Sequence, residues 1–186
     1  MRRSWFLGVL VVGLTGCGYN TIQTYDEQAS AAKQQIEVQL QRRADLIGNL
    51  VETVKGLANQ ELSVFTQVAQ ARAGLTSAVQ RGDPAEMANA NAQLTGALRG
   101  LYVAVEAYPQ LKSDQAFLRL QDELAGTENR IATSRTDYNQ AVQQYNTYIR
   151  RFPIVLTAKV VGAKSRDYFE VTSPGAREVP KVDFKK

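Results

Sequence analysis

The sequence predicts an all-α fold, an antiparallel four-helix bundle with long helices and a short irregular C-terminal tail. Three observations favour it. Apolar residues recur at steps of three, four and seven along most of the chain, helix-ending signals divide this pattern into four segments, and 44% of the 186 residues are hydrophobic, enough for a core. Four amphipathic helices with short connections bury their apolar faces against one another, and a coiled-coil dimer of long hairpins is the alternative.

The first two predicted helices are defined by their apolar stripes. We expect one helix from about Tyr25 to Leu57 and a second from about Asn59 to Gln80. The stripe residues are Ala29, Ile36, Leu40, Ile47, Leu50, Val54 and Leu57 on the first helix, and Leu62, Phe65, Val68, Leu75 and Val79 on the second. Their spacing places each set on one helix face, which the rest of the protein must cover.

The third predicted helix has a clear start and a clear end. Asp83 is a good N-cap, Pro84 suits the first helical position, and Glu86 completes a capping-box pattern. The stripe then consists of Met87, Ala90, Leu94, Leu98, Leu101 and Val105. Pro109 disfavours a helical conformation at the residue before it, so this helix should end near Tyr108.

The fourth predicted helix carries the most regular pattern. Ser113 as a cap and Asp114 as a first-turn anion restart the helix. Its seam consists of residues seven apart, with three more at intermediate positions: Phe117, Leu124, Ile131, Tyr138, Tyr145 and Phe152, then Leu120, Ala141 and Tyr148. A sustained period of seven is what bundle packing requires. Pro153 ends the seam, residues 154–161 are expected to form a short helix rather than an edge strand, and residues 164–186 an irregular tail.

The N-terminal segment has the features of a bacterial lipoprotein signal. Arg2 and Arg3 precede an apolar run of about ten residues, which is too short to span a membrane. The tetrapeptide Leu14-Thr15-Gly16-Cys17 then resembles the lipobox, in which the cysteine is acylated and becomes the first mature residue. We expect residues 1–16 to be a lipoprotein signal peptide, Cys17 to be the lipidation site, and residues 17–24 to form a membrane-proximal tether. The alternative, a transmembrane anchor containing Cys17, fits less well with the polar residues that follow at once.

An acylated Cys17 predicts a membrane-anchored lipoprotein of the bacterial cell envelope. The cysteine of a lipobox receives a diacylglyceryl group on its thiol and one acyl group on its new amino terminus. These three acyl chains exceed what stable membrane anchoring needs. Gly18, rather than aspartate, follows the cysteine. In a cell with two membranes, lipoproteins of this kind are usually sent to the outer membrane, so we expect the periplasmic face of that membrane.

The composition argues against several classes of function. The chain has no histidine and one cysteine, which excludes Ser-His-Asp and Cys-His catalysis and removes the commonest ligands for zinc, iron and copper. No phosphate-binding glycine loop is present. Without Arg2 and Arg3 the mature chain is only about +2, too weak a bias to indicate nucleic-acid binding. We therefore predict a protein that is not an enzyme and has no metal and no cofactor.

Polar residues on or beside the apolar stripes are the candidate functional residues. They are Arg43, Asp45, Asn49, Arg72, Glu106, Glu128, Asn129, Arg135, Tyr138, Asn139, Tyr145 and Asn146. Buried cations require partners, so we expect a structural polar network that fixes helix order, with the tyrosines in the core. One alternative is a ligand groove in which Arg43, Arg72 and Arg135 bind an anionic peptide, lipid or cell-wall fragment. The other is hydrolysis by the carboxylates Glu106 and Glu128.

The joint pattern of motifs resembles the LemA family. It runs from Tyr19-Asn20 to about Phe169, and its matching stretches include QLQRRADLIGNL at residues 39–50, VETVKGL at 51–57, EAYPQL at 106–111 and LAGTENRI at 124–131. The resemblance implies an antiparallel helical bundle at a membrane, with no catalytic residues to carry over, in residues 25–152, followed by a short helix and irregular tail in 153–186. Two features depart from the family: Cys17 replaces the usual spanning helix, and Gly48 stands where proline is common.

These observations together predict a non-enzymatic, lipid-anchored envelope protein that presents a helical bundle for protein–protein interaction, as a scaffold or adaptor in envelope maintenance. The expected partners are the membrane, through the acyl chains on Cys17, and envelope proteins. A second copy of the chain is a further candidate partner. The alternative function is binding of an anionic peptide, lipid or cell-wall fragment in the envelope.

Overall fold

The structure, a computed structural model, describes residues 2–57 and 63–171, with side chains described for residues 18–55 and 63–171. Over these residues the protein is all-helical without strands, which confirms the predicted all-α class. The helices are α1 (Arg2–Leu57), α2 (Ser63–Arg81), α3 (Pro84–Val105), α4 (Pro109–Lys112), α5 (Gln115–Arg150) and α6 (Ile154–Val160). Predictions for the side chains of Cys17 and Leu57, for Leu62, and for residues 172–186 of the tail fall outside the described part.

Helix α1 is longer than the sequence predicts. Its backbone is continuous from Arg2, and residues 18–24, expected to form a tether, belong to the same helix. Ile22 is buried in a small apolar cluster with Tyr145, Ile149 and Ala158. Residues 18–24 are therefore part of the packed structure, because one face of this segment is covered by α5 and α6.

The boundaries of α3 largely follow the predicted signals. The Asp83 carboxylate accepts a hydrogen bond from the Glu86 backbone N–H at 2.8 Å, and Pro84 is the first helical residue. The Glu86 carboxylate does not complete the box on Asp83 and instead pairs with Arg81. The helix ends at Val105, three residues earlier than expected.

The connection from α3 to α5 contains a helix that the sequence does not predict. The single turn α4 begins at Pro109. Asp114, rather than Ser113, caps α5, because its carboxylate accepts hydrogen bonds at 2.9 Å from the backbone N–H groups of Ala116 and Phe117. The predicted restart is therefore displaced by one residue.

The predicted stripes form most of the core. Every described stripe residue of α1 and α3 is buried, as are Phe65, Val68 and Leu75 of α2. On α5 the prediction for Phe152 is wrong: its side chain is 82% exposed. The helix ends at Arg150 and the chain turns before Pro153, so Phe152 leaves the seam.

The helices contact one another in a consistent order. The most extensive contact joins α1 to α5, while α2 packs on both α3 and α1, and α6 packs on α1 and α5. The Tyr25 ring of α1 lies 5.2 Å from the Tyr148 ring of α5, and Arg43 pairs with Glu128. Later residues of α1 thus meet earlier residues of α5. The α2–α3 hairpin contacts the C-terminal half of α1, and α6 contacts α1 at Gly18 and Ile22.

Candidate functional site

Arg43 of α1 is the centre of a buried polar network. Only 4% of its surface is exposed. Its guanidinium donates hydrogen bonds to Asn91 Oδ1 at 2.6 Å and Thr95 Oγ1 at 3.1 Å, both on α3, and pairs with the Glu128 carboxylate of α5. Burial lowers the pKa of Arg43, and the charge of Glu128 opposes this shift. One side chain therefore links three helices.

Arg72 joins α2 to the α1 backbone. Its Nε donates a hydrogen bond to the Ala44 carbonyl oxygen at 2.7 Å. The guanidinium lies against Gly48, where a Cβ atom would come within 3.0 Å of Arg72 Cζ. Because Gly48 has no side chain, the Arg72 guanidinium can occupy this space. In the family that the sequence resembles, proline is common at this position.

A segment without regular secondary structure, residues 163–171, lies along α5 and is called the docked segment below. Asn146 binds the backbone of Arg166 through both amide atoms: Nδ2 donates to the carbonyl oxygen at 2.9 Å, and Oδ1 accepts from the N–H at 2.8 Å. Asn139 binds Phe169 in the same way, at 3.3 and 2.9 Å. Tyr138 Oη donates a hydrogen bond to the Asp167 carbonyl oxygen at 2.7 Å.

The spacing of the two asparagines matches the spacing of their targets. Residues seven apart on a helix are about 10.5 Å apart along its axis and lie on the same face. Three residues of extended chain span about 10 Å. The amides of Asn139 and Asn146 therefore reach Phe169 and Arg166 without distortion of the helix or of the docked segment.

Arg166 also ties the docked segment to α1. Its Nε pairs with the Asp26 carboxylate at 2.8 Å, a terminal nitrogen donates to Ser30 Oγ at 2.8 Å, and the guanidinium lies 5.8 Å from the centre of the Tyr145 ring. The hydrogen bond that Arg166 donates to the Asp26 carboxylate is the main cause of the raised pKa of Arg166. Burial raises the pKa of Tyr138 to about 12 and also raises the pKa of Tyr145.

The two carboxylates proposed for hydrolysis have separate partners. Glu106 is exposed just after the end of α3 and pairs with Lys112 of α4. Glu128 pairs with Arg43 in the middle of the helices. Each carboxylate is neutralised by its own cation, and no described contact brings the pair together around a common cleft.

The remaining predicted site residues lie on the surface, where Arg72, Glu106 and Glu128 are exposed too. Asp45, Asn49, Asn129 and Arg135 are all exposed. Asp45 accepts a hydrogen bond from Gln41 Nε2 at 3.1 Å, and Arg135 lines an open groove of about 420 Å³ between α5 and the docked segment. Asp45, Asn49, Asn129 and Arg135 therefore lie outside the contacts between helices and with the docked segment. Those contacts are made by the other predicted residues Arg43, Glu128, Tyr138, Asn139, Tyr145 and Asn146.

Five partners in these networks escape sequence reasoning: Asn91, Thr95, Asp26, Ser30 and Arg166. Asn91 and Thr95 are four residues apart on α3 and flank the stripe residue Leu94, so a polar pair beside the stripe was a usable signal. Asp26 and Arg166 are 140 residues apart in sequence, and no local pattern relates them.

Within the described residues, no helix offers an apolar stretch long enough to cross a lipid bilayer. The family model of the LemA family matches residues 32–184. The chain belongs to the LemA family. The match contains the Arg43 network, both asparagines that bind the docked segment, and the segment itself, whereas Cys17, Ile22 and Asp26 precede it.

Three relatives of this chain are magnetosome proteins. The magnetosome proteins MamQ 1 and MamQ 2 of Paramagnetospirillum magneticum are each 31% identical to this LemA-family chain over 183 residues. Magnetosome protein MamQ of Magnetospirillum gryphiswaldense is 29% identical over 180 residues. Each alignment covers 84% of this chain and 66% of the relative, so the chain spans slightly less than two-thirds of the length of these proteins.

Proposed function

We propose that this LemA-family protein is a non-enzymatic, lipid-anchored protein of the bacterial envelope that acts by binding other proteins, as a scaffold or adaptor in envelope maintenance. The observation that carries the proposal is the internal use of the polar groups at the helix seams. Arg43 is engaged by Asn91, Thr95 and Glu128, and Arg72 by a backbone carbonyl group. Polar groups that bind one another inside the protein serve packing and leave the outer helix faces as the means of recognition, although Arg43 Nε is buried without a hydrogen-bond partner.

The arrangement in this proposal is an antiparallel four-helix bundle of α1, α2, α3 and α5. It is supported by contacts that pair late residues of α1 with early residues of α5, and by Arg72 of α2 on Ala44 of α1. The part of α1 that follows Cys17, residues 18–57, is about 60 Å long at 1.5 Å per residue. Such a helix would present binding surfaces well above the membrane.

The proposed anchor is a lipidated Cys17 in the outer membrane, with the helices on its periplasmic side. Support comes from the Leu14-Thr15-Gly16-Cys17 motif after a basic and apolar segment. The helical residues 18–24 add a mechanical argument. Because Ile22 packs against α5 and α6, the chain next to Cys17 is fixed to the domain and holds it close to the membrane.

The anchor is tested by Cys17→Ala, with Asn20→Ala, an exposed position three residues later, as the control. Cys17→Ala is expected to lose labelling by a fatty-acid analogue and to move from the membrane fraction to the soluble fraction. Asn20→Ala should retain both. Undiminished labelling of Cys17→Ala would show that the acyl chain is not on this residue.

The scaffold role is tested by photo-crosslinking in intact cells. A crosslinking residue is placed at the exposed positions Val38 of α1 and Val103 of α3, and at the buried position Leu94 as the control. The exposed positions are expected to capture defined proteins that mass spectrometry identifies, and the buried one is not. Recovery of no protein at either exposed position would count against an interaction role.

A second candidate is binding of an anionic peptide, lipid or cell-wall fragment. Arg135 favours it, since this exposed cation lines the groove beside Asn139, Tyr168 and Glu170. Of the other two arginines that the sequence suggested, Arg43 is buried in internal contacts, whereas Arg72 is exposed and donates its Nε hydrogen bond to a backbone carbonyl oxygen. Arg135→Gln should weaken retention on immobilised cell-wall fragments, whereas Arg130→Gln, an exposed neighbour on the same helix, should not. Equal retention of both variants would remove this candidate.

A further inference from the structure

Exposed apolar side chains are concentrated at one end of the molecule. Tyr19, Phe152, Leu156, Val160 and Val161, called the basal patch below, are five of the nine large hydrophobic residues that are exposed in the described part of the chain. Phe152 is 82% exposed and Val160 85%. Leu156 and Val160 are four residues apart on α6 and so share a face, while the next residues, Thr157 and Ala158, are buried.

The basal patch lies at the end of the domain from which the N-terminal apolar segment extends. Gly18 packs directly on α6, since a Cβ atom there would be 2.7 Å from Ile154 Cδ1. Ile22 of α1 and Ala158 of α6 share a buried cluster. Only four residues, about 6 Å of helix, separate Gly18 from Leu14, the last residue of the apolar segment. Either means of anchoring at this segment brings α6 to the level of the lipid headgroups.

The charges around the basal patch have one sign. Residues 138–166 contain no aspartate or glutamate, and residues 1–25 contain none either. Four cationic residues of this region are exposed: Arg150, Arg151, Lys159 and Lys164. The fifth, Arg166, is paired with Asp26. Apolar side chains surrounded by cations are typical of surfaces that bind the interface of anionic membranes.

A second copy of the chain fits this surface less well. In a two-fold dimer the same patch is present on both sides of the interface, so the four cations of one copy would face those of the other. An anionic lipid surface offers the opposite charge and also accepts the exposed apolar side chains.

We propose that the basal patch is a membrane-binding surface, with Phe152, Leu156 and Val160 in the lipid interface and the surrounding cations on the headgroups of anionic phospholipids. This inference rests on the proposed attachment of the N terminus to a membrane and adds a second contact that fixes the tilt of the domain. The N-terminal anchor sets which membrane the protein occupies, and the basal patch sets how the helices stand on it.

The test measures the depth of a probe in the membrane. The full chain is reconstituted through its own N terminus into vesicles of phosphatidylcholine with phosphatidylglycerol, with a fluorescent probe attached at Val160→Cys or at the control Val103→Cys. Val103 is 74% exposed on α3, near the end of that helix opposite the basal patch. Quenchers on the lipid chains should quench the probe at 160 at least about threefold more than the probe at 103. Equal quenching at both positions would overturn the proposal.

The charge requirement is tested separately. Replacing Arg151, Lys159 and Lys164 with glutamine should lower the quenching at 160 to the level seen in vesicles of phosphatidylcholine alone. The matched variant with glutamine at the exposed Lys55, Arg99 and Arg119 should leave it unchanged. Quenching that is independent of phosphatidylglycerol would contradict the headgroup contact. A probe at 160 protected from both lipid and aqueous quenchers would indicate a protein partner or a second copy and would overturn the proposal.

The same material reports on the anchor independently. The parent chain has a single cysteine, Cys17, which takes no thiol-reactive probe if it is acylated. Labelling of the parent chain would contradict lipidation, and the depth measurement would then be repeated with Cys17→Ser in every variant. Failure of the anchor and failure of the membrane-binding surface are therefore separate results.

Discussion

The Arg43 guanidinium is almost fully buried, and its contribution to stability depends on side chains from two other helices. Asn91 and Thr95 accept its hydrogen bonds, and the Glu128 carboxylate neutralises its charge. Sequence reasoning identified Arg43 and Glu128 because both lie on or near apolar stripes. It could not pair them, because the angular positions of two helices relative to each other are not contained in the period of either one.

Replacing Arg43 with methionine tests how much these contacts contribute. Methionine fills much of the volume but leaves Asn91 and Glu128 without their cation, so we expect the free energy of unfolding to fall by about 2 kcal/mol. Arg42→Met, at the exposed neighbouring position, should change it by less than about 0.5 kcal/mol. Urea unfolding of both variants measures the difference. Equal stabilities would show that the network contributes no net stabilisation.

Tyr138 makes the free energy of unfolding depend on pH in the alkaline range. Burial raises its pKa from 10.0 to about 12, so folding favours the protonated, neutral phenol. The associated stabilisation is complete below pH 10 and is lost as the pH rises from 10 toward 12.

Tyr138→Phe isolates this effect. Near neutral pH the variant should be less stable than the wild type by about 1 kcal/mol, because the hydrogen bond to the Asp167 carbonyl oxygen is lost. The difference should shrink above pH 10, since only the wild type has a phenol that folding keeps protonated. Tyr168→Phe, at an exposed position, is the control variant in the same unfolding experiments. A Tyr138→Phe difference that stays constant up to pH 11 would contradict the raised pKa.

At the scale of the helices, sequence patterns were most successful where a signal is local. Asp83 and Pro84 start α3 as predicted, and the stripes of α1 and α3 are buried, since capping and periodicity act within a few residues. The prediction for Phe152 is wrong because a periodic pattern does not show where a helix ends. Phe152 continues the period of seven, but α5 has already ended at Arg150. Between its seam residues, α5 buries Val142 and Ile149 rather than Ala141 and Tyr148, because the position of the neighbouring helices decides which flank is covered.

The turn between α2 and α3 gives a prediction at this scale. Gly82 has a φ of +67°, which is unfavourable for other L-residues, so Gly82→Ala should destabilise the fold by about 1 kcal/mol. Gly74 lies inside α2 with open space around it, so Gly74→Ala should stabilise by up to about 1 kcal/mol. Denaturant unfolding would show opposite changes for the same added methyl group. Changes of the same sign would mean that the backbone of this turn is not as described.

At the scale of the whole molecule, the docked segment joins α5 to α1, because its backbone binds Asn139 and Asn146 and its Arg166 side chain binds Asp26 and Ser30. Sequence reasoning described residues 164–186 as an irregular tail and gave Asn139 and Asn146 a role in helix packing. The first description holds for the secondary structure of the described part, but the segment is packed against the helices. Its docking uses mainly backbone groups, and these leave no trace in the sequence of the segment itself.

Truncation measures what the docked segment contributes. A chain ending at Gly162 should be less stable than one ending at Val171 by about 2–3 kcal/mol, because it loses buried Phe169 and the hydrogen bonds of both asparagines. Both truncated chains lack residues 172–186, so the comparison isolates residues 163–171. Thermal unfolding followed by circular dichroism would measure the difference, and equal melting temperatures would show that docking is energetically neutral.

Asn139 and Asn146 fix the number of residues in the part of the docked segment that lies between their two contacts. They recognise peptide groups at Arg166 and Phe169, and a two-turn step of helix is commensurate with three residues of extended backbone. Exposed residues of this segment can therefore be substituted without loss of these hydrogen bonds. A single-residue insertion or deletion between Arg166 and Phe169 would instead move one backbone target out of reach of its asparagine. The stretch should tolerate substitutions at its exposed positions, but neither a change in length nor the loss of the Arg166 and Phe169 side chains.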